Sequence, residues 1–136
     1  MEYSVERQIS FALENEPGVL ARVCAALRER RINIHALSIV DNVEQGMVRL
    51  VTSDPTTAVE VIRTLGLYPI QADVIDLRPA SIIGKLGEIS RALADAGVNI
   101  DYAYGSEMGS GNRMSLILRV SPMDAAQAVL NALPAT

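Results

Sequence analysis

Hydrophobic and polar positions along the chain follow two spacings, which together predict an ordered series of strands and helices. Residues 5–13 alternate between apolar and polar side chains, as in a half-buried strand, although Arg7 interrupts the apolar set. Over residues 20–27 the apolar positions recur three or four apart, on one face of a helix. Alternation returns over residues 34–40 and 47–52, with a polar hairpin at Asp41–Gly46 between them. The pattern therefore predicts a strand, a helix and two hairpin-linked strands, in that order.

A second helix and a long strand follow. Asp54 is a preferred N-cap residue and Pro55 suits the first helical position, so a helix is predicted to begin there and to end at Gly66. Ile70–Arg78 is predicted to be extended. Its alternating apolar residues shift midway from even-numbered to odd-numbered positions. Because strand side chains alternate between two faces, such a change requires a bulge or a new partner strand. We interpret this strand as the last of one structural copy and the first of the next.

The same sequence pattern occurs twice in the chain. Gly18, an amphipathic helix and the pair Asn33-Ile34 recur 66 positions later as Gly84, a second amphipathic helix and Asn99-Ile100. Self-similarity at one fixed offset indicates two copies of one supersecondary unit. A functional site can then form within the copies or between them.

The second copy repeats the element order but lacks the last strand. Its helix is predicted to end at Gly97, with strands at Val98–Tyr104 and Arg113–Val120 and a helix from Pro122. The predicted fold class is α+β, a ferredoxin-like βαββαβ arrangement that occurs twice, with the second copy short of its last strand. The predicted domains are residues 1–73 and 74–136, and the second is expected to have a sheet edge that is exposed or covered by a partner chain.

Composition and charge exclude several classes of function. The net charge is −4 and no basic block is present, which argues against a nucleic-acid partner. No apolar run approaches the ~20 residues needed to span a bilayer, and the N-terminus lacks a signal sequence. A single cysteine cannot form an internal disulfide, so a cytoplasmic location is expected. Each half is small for an independent core, and we expect the halves to pack on each other or within a homodimer.

The sequence shows no catalytic constellation. His35 is the only histidine and is expected at a surface or interface. Cys24 lies beside the buried helix positions and is expected to be a small core residue. The glycine-rich segment Gly105–Asn112 connects two strands, so we interpret it as a mobile hairpin tip and not as a phosphate-binding loop. We therefore expect no enzyme activity, no cofactor and no metal site.

The two glycine turns carry the most suggestive chemistry. A helix N-terminus offers unpaired N–H groups and the positive end of the helix dipole, which suit a carboxylate, and Gly18 leaves them accessible. Asn33 begins the strand after the same helix, and its amide has the acceptor that an ammonium group requires. Together they could hold the backbone of a free amino acid. Both residues also have structural interpretations, because glycine commonly follows a strand and asparagine often ends a helix.

The segment Asn15-Glu16-Pro17-Gly18-Val19-Leu20, the helix after it and Ile32-Asn33-Ile34 resemble the opening of an ACT domain, the small-molecule regulatory module of amino-acid metabolism. The family pattern is Asp or Asn, any residue, Pro-Gly-x-Leu, then a helix ending in Ile/Val-Asn-Ile. The second copy matches in its helix and in Val98-Asn99-Ile100, but its turn, Ser81-Ile82-Ile83-Gly84, lacks the Asn and the Pro. As a whole, the chain resembles stand-alone tandem ACT-domain proteins.

The resemblance implies two βαββαβ units side by side, with an effector at the junction between their glycine turns and asparagine-bearing strands. It implies a stronger ligand site formed by Asn15, Gly18, Val19, Leu20 and Asn33. It implies a related site formed by Ser81, Gly84, Leu86 and Asn99. Candidates for the pocket walls, which are equally suited to the core, are Leu37, Ile39, Tyr102 and Tyr104.

The leading hypothesis is a non-catalytic regulatory protein that binds a small effector, a free amino acid, between its repeats. The alternative is a docking subunit of an amino-acid biosynthetic enzyme, which would use a sheet edge or helices for contact. Replacement of Asn33 by alanine separates the two, since it should abolish ligand binding and leave docking unaffected. A small enzyme on a ferredoxin-like scaffold is a third and weaker hypothesis.

Overall fold

A computed structural model of the chain describes residues 1–42, 45–109 and 111–135. The predicted order of strands and helices is confirmed, with boundaries displaced by a few residues. The elements are β1 (Tyr3–Glu14), α1 (Val19–Glu29), β2 (Ile34–Asn42), β3 (Gln45–Thr52), α2 (Pro55–Thr64), β4 (Ile70–Leu77), α3 (Lys85–Asp95), β5 (Asn99–Met108), β6 (Arg113–Ser121) and α4 (Met123–Ala132). Val43 and Glu44 of the predicted polar hairpin lie outside the described residues, as does Ser110 of the predicted glycine-rich loop.

The chain forms two compact units. Arg7–Ala72 is the first unit, and Met1–Glu6 together with Asp73–Thr136 is the second unit. The predicted domains follow the repeat along the sequence and differ from these spatial units mainly in residues 1–6. The shift in the alternation of apolar residues within Ile70–Arg78 falls where β4 passes from the first unit to the second.

The first unit is a ferredoxin-like sheet with two helices on one face. Its strand order is β2-β3-β1-β4, and β1 and β2 both pair antiparallel with β3. Alternate residues of each strand share a face, so Phe11 and its partner Val48 point to the same side. The helices bury their apolar stripes there. The central residues of this core are Ile9, Phe11, Val23, Leu27, Val48, Leu50 and Ile62.

The start of α2 confirms the predicted cap. The Asp54 carboxylate accepts a hydrogen bond from the backbone N–H of Thr57 at 3.1 Å, and Pro55 occupies the first helical position. Hydrogen bonds from the side chain and backbone of Thr57 hold the pKa of Asp54 below its ordinary value, with a smaller contribution from the positive charge of Arg30. The charged form of Asp54 is therefore favoured in the folded state.

Replacement of Asp54 by alanine is expected to lower the Tm by a few degrees at neutral pH. Because the folded-state pKa is lowered, the contribution of Asp54 is complete above the ordinary aspartate pKa of about 3.9 and is lost as pH falls through the folded-state value. The Tm difference between the wild type and Asp54→Ala should therefore shrink in acid. Thermal unfolding of both proteins between pH 7 and pH 2.5 checks this, and a difference that stays constant with pH would contradict it.

The second unit has the same architecture around its own core. Its strand order is β5-β6-β4-β1, in which β1 contributes residues 3–6. β4 and β5 both pair antiparallel with β6, and α3 and α4 pack on the resulting core. The central residues of this core are Ile75, Leu77, Ile89, Leu93, Leu118, Val120 and Leu130.

The first residues of the chain fill the position of the missing last strand of the second copy. The backbone carbonyl of Glu2 accepts a hydrogen bond from the N–H of Arg78 at 3.0 Å. The hydroxyl of Tyr3 donates to Oδ1 of Asn131 in α4 at 2.7 Å, and Met1 and Tyr3 pack against the second core. The prediction that this sheet edge is exposed or covered by a partner chain is therefore wrong, because the chain covers it with its own N-terminal residues.

Gly105 lies within a strand and not in a hairpin tip. β5 continues to Met108, and Gly105 pairs with Leu116 of β6. A Cβ atom on Gly105 would lie 2.1 Å from the carbonyl oxygen of Ser115 and 2.9 Å from Cα of Leu116. The predicted loop is correspondingly shorter, and the role of Gly105 is to allow close approach of two backbones.

Candidate functional site

The first glycine turn, Asn15–Gly18, leads from β1 into α1. Gly18 has φ 90° and ψ −11°, a left-handed conformation that favours glycine, and no side chain caps the helix in the described residues. Asn15 and Gly18 are exposed, whereas Val19 and Leu20 pack against the first core. The turn therefore presents the positive end of α1 to solvent, as the sequence indicates.

Asn33 lies at the other end of α1. The helix contains 11 residues, which at about 1.5 Å per residue separates its ends by about 16 Å. Near the turn, Nδ2 of Asn15 donates to Oδ1 of Asp41 at the far end of β2, whereas Asn33 precedes the first residue of that strand. Within the first unit, the structure therefore brings Asn15, Gly18, Val19 and Leu20 together and places Asn33 away from them.

The second copy has the same backbone at its turn but different side-chain contacts. Gly84 has φ 86° and ψ −6°, nearly the values of Gly18, and α3 also begins without a side-chain cap. The Ser81 hydroxyl donates to Glu107 at 2.6 Å, and Leu86 is 44% exposed. Nδ2 of Asn99 donates to the carboxylate of Asp101 at 2.7 Å. Both polar side chains of the second predicted site are thus bound to acidic residues of their own unit.

Asn33 borders a cleft of about 360 Å³ at the carboxyl end of α1. Leu27 and Ile32 are buried and form an apolar floor, and Asn33 is exposed at the edge. The lining residues, which together define the Asn33 cleft, are Cys24, Leu27, Arg28, Arg31, Ile32, Asn33 and Ile34. Two other clefts of the first unit, of about 220 and 360 Å³, contain none of the predicted site residues.

Arg28 and Arg31 are the residues of this cleft that the sequence analysis missed. Arg31 has φ 56°, a left-handed conformation that is unusual for a residue with a side chain. The 66-residue offset places Gly97 at the equivalent position in the second copy, with φ 74°. An arginine in place of a repeated glycine is a signal that alignment of the two copies could have provided.

The remaining predicted residues have modest roles within the units. Leu37 and Ile39 lie on the outer strand β2 and are 43% and 44% exposed, while Tyr102 and Tyr104 of β5 are half-buried. His35 is exposed, as expected, and Cys24 is half-buried at the wall of the Asn33 cleft rather than in the core.

Two other features, a metal-binding cluster and a membrane-spanning helix, are absent from the described residues. No set of three or more His, Cys, Asp or Glu side chains is grouped closely enough to hold a metal ion in residues 1–42, 45–109 and 111–135. No helix in those same ranges is long and apolar enough to cross a membrane.

Comparison with known proteins assigns the chain to a family. Residues 4–133 match the model of the ACT domain pair. The chain belongs to the ACT domain pair family. The tandem arrangement implied by the sequence repeat is thereby confirmed, and the ferredoxin-like order of each unit is the order expected of an ACT domain.

Relatives of this ACT pair include a bacterial protein of solved structure and an aspartokinase. A protein of solved structure from Bacteroides thetaiotaomicron is 30% identical in sequence to this chain and superposes on it with a TM-score of 0.86. The match covers 95% of this chain and 88% of the Bacteroides chain. The aspartokinase of Corynebacterium glutamicum is 30% identical over 137 residues, covering 89% of this chain and 32% of the aspartokinase. The ACT pair therefore spans about a third of the length of that curated relative.

The fold is also that of a separate regulatory subunit. The ligand-free regulatory subunit of aspartate kinase from Thermus thermophilus superposes with a TM-score of 0.71 at 20% identity, over 97% of this chain and 95% of the subunit. This ACT pair therefore shares the fold of that regulatory subunit.

Proposed function

We propose that this ACT pair is a non-catalytic regulatory protein whose effector is a free amino acid, bound in the Asn33 cleft of the first unit. The observation that carries the proposal is the exposed amide of Asn33 beside a cleft of about 360 Å³ with an apolar floor. That volume is at the small end of the range of about 300–1,000 Å³ for small-molecule sites. The family supports the proposal, since ACT domains bind small-molecule effectors.

Asn33 can supply both kinds of hydrogen bond that an amino acid requires. Its Oδ1 can accept from an ammonium group, and its Nδ2 can donate to a carboxylate. The backbone of Asn33 is fixed by two hydrogen bonds with Ser53, each 2.9 Å long, from the Asn33 N–H to the Ser53 hydroxyl and from the Ser53 N–H to the Asn33 carbonyl. These bonds fix the main chain of Asn33, while its side-chain amide remains exposed to solvent.

The glycine turn is a second place for a ligand carboxylate. Asn15, Gly18, Val19 and Leu20 surround the uncapped N-terminus of α1, which attracts negative charge. Because about 16 Å of helix separates this turn from Asn33, one small ligand cannot contact both within the first unit. We therefore assign the amino-acid backbone of the ligand to Asn33, and a substitution at Gly18 tests the glycine turn separately.

Replacement of Asn33 by alanine is expected to weaken amino-acid binding at least tenfold, since it removes both hydrogen-bonding atoms and keeps the backbone contacts with Ser53. The effector is first identified by thermal shift of the wild type against the free amino acids at millimolar concentration. A ligand at about 100 times its Kd stabilises by roughly 2.7 kcal/mol. Titration calorimetry then compares wild type and variant.

Asn99→Ala is the matched control, because Asn99 is the repeat-equivalent residue and its amide is bound to Asp101. It should leave the affinity within about twofold. Gly18→Ala tests the turn, since a Cβ there meets no heavy atom within 4 Å but the positive φ is strained. A loss of binding in Gly18→Ala together with full binding in Asn33→Ala would move the site to the turn. No response to any amino acid would refute the proposal.

A second candidate function is a docking subunit of an amino-acid biosynthetic enzyme. It is favoured by the match to an aspartokinase in which the equivalent of this chain is only 32% of the enzyme. One surface suited to docking, or to a homodimer, is the outer strand β2, on which Leu37, Ile39 and Val40 are 43%, 44% and 52% exposed. Asn33→Ala should leave such docking unchanged, while a charged residue at Ile39 should weaken it in a pull-down with an aspartokinase catalytic chain.

A further inference from the structure

Arg31 occupies a position that the rest of the chain gives to glycine. Three helices end in the same hydrogen-bonded motif, in which the residue after the C-cap has a left-handed conformation. At the ends of α2 and α3 this residue is Gly66, with φ 80°, and Gly97, with φ 74°. At the end of α1 it is Arg31, with φ 56°. Because a side chain is disfavoured in this conformation, helix termination does not explain an arginine there.

The two arginines give the Asn33 cleft a positive charge that no acidic side chain of its lining balances. Arg28 and Arg31 are exposed, and the lining includes no Asp or Glu. In the part of the chain that the structure describes, neither side chain forms an ion pair or a hydrogen bond. The negative end of the α1 dipole accounts for a basic residue in the last turn, such as Arg28. It does not account for a strained Arg31.

The second copy lacks this charge on an otherwise similar framework. The 66-residue offset relates Leu27, Ile32 and Asn33 to Leu93, Val98 and Asn99, so the apolar floor and the asparagine are retained. The same offset relates Arg28 to Ala94 and Arg31 to Gly97. The guanidinium pair is therefore a property of the first copy and not of the repeated fold.

We infer that the Asn33 cleft selects an acidic amino acid, one with a carboxylate on its side chain. This inference rests on the proposed function and specifies the class of effector. The guanidinium groups of Arg28 and Arg31 bind the two carboxylates, for which the planar donor array of arginine is well matched. Oδ1 of Asn33 accepts from the ammonium group, and the methylene groups of the ligand lie on Leu27 and Ile32.

The variant Arg31→Gly is expected to raise the thermal stability of the protein and to lower its affinity for the ligand. Because glycine is unstrained in the left-handed conformation, the Tm of the free protein should rise by about 2–4 °C. Because the guanidinium group that binds one ligand carboxylate is removed, the affinity for aspartate or glutamate should fall about 10–100-fold. A residue with only a structural role would not raise the Tm and lower the affinity at once. Arg30→Ala is the control, since Arg30 is adjacent and charged but does not line the cleft, and it should change the affinity by less than about threefold.

The test is titration calorimetry of the full chain with L-aspartate, L-glutamate, L-asparagine, L-glutamine, succinate and inorganic phosphate. An acidic amino acid is expected to bind at least tenfold more tightly than its amide, and this ratio should approach one in Arg31→Gly. Tighter binding of a neutral or basic amino acid, or unchanged affinity in Arg31→Gly, overturns the inference and leaves the proposed function standing. Binding of succinate or phosphate as tight as that of the acidic amino acid overturns the assignment to an amino acid. Absence of binding by every amino acid overturns the proposed function and this inference together.

Discussion

A variant that lacks residues 1–6 is expected to lose about 3–5 kcal/mol of stability in its second unit. Met1 and Tyr3 pack on the second core, and their removal exposes apolar surface around α4. The backbone N–H of Arg78 and Oδ1 of Asn131 also lose their partners, the Glu2 carbonyl and the Tyr3 hydroxyl. With residues 3–6 of β1 gone, β4 still pairs with β6 but becomes an edge strand of this unit, although Val74, Ile75 and Leu77 on it are fully buried. A loss of this size is a large part of the total stability of a typical domain.

Hydrogen exchange followed by mass spectrometry measures this loss by segment. Amides of residues 73–77 in β4 should exchange much faster in the shortened chain than in the wild type. Tyr3→Phe is the matched control, because it removes only the hydrogen bond to Asn131 and should cost about 0.5–1.5 kcal/mol. Unchanged protection of β4 in the shortened chain would show that residues 1–6 do not complete the second unit in solution.

Replacement of Gly105 by alanine is expected to destabilise the second unit by about 3 kcal/mol or more. A Cβ at this position would lie 2.1 Å from the Ser115 carbonyl oxygen, which is backbone and cannot move without separating β5 from β6. The side chain of Leu116, 2.7 Å away, would also have to shift. The added methyl group therefore disrupts the pairing of two strands.

Urea unfolding of Gly105→Ala, monitored by circular dichroism, measures this effect as a lower midpoint. Gly87→Ala is an informative control, because Gly87 lies inside α3 and a Cβ there meets no heavy atom within 4 Å. That change should stabilise by about 0.5–1 kcal/mol, as glycine is a poor helix former. Equal midpoints for Gly105→Ala and the wild type would contradict the backbone clash.

Local features of this fold could be predicted from the sequence because their causes are local. The cap at Asp54 and the helix end at Gly66 each depend on residues within a few positions of one another. The strand that completes the second unit could not be predicted in this way. Its contacts join residues as far apart as Tyr3 and Asn131, and no periodicity within a segment encodes such a pairing.

The candidate site shows a similar division. The left-handed glycine turns and the exposed asparagines lie where the sequence pattern indicates, but the chemistry of the cleft does not follow from the pattern alone. A helix of 11 residues already implies that Gly18 and Asn33 lie at opposite ends of α1. The role of Arg31 depends on its left-handed backbone, which the sequence signals only through the alignment of Arg31 with Gly97 of the second copy.

The participation of residues 1–6 in the second unit has a consequence for biosynthesis. Residues 7–72 are contiguous, so the first unit can fold as soon as its own segment has left the ribosome. The second unit requires Tyr3 to meet Asn131, 128 positions later, so it cannot be completed until α4 has been synthesised. The final event is then the closure of a loop that encloses most of the chain. The entropic penalty of this closure grows only with the logarithm of loop length. Pairing between such distant residues is slow, however, and until it occurs an apolar strand edge is open to other nascent chains.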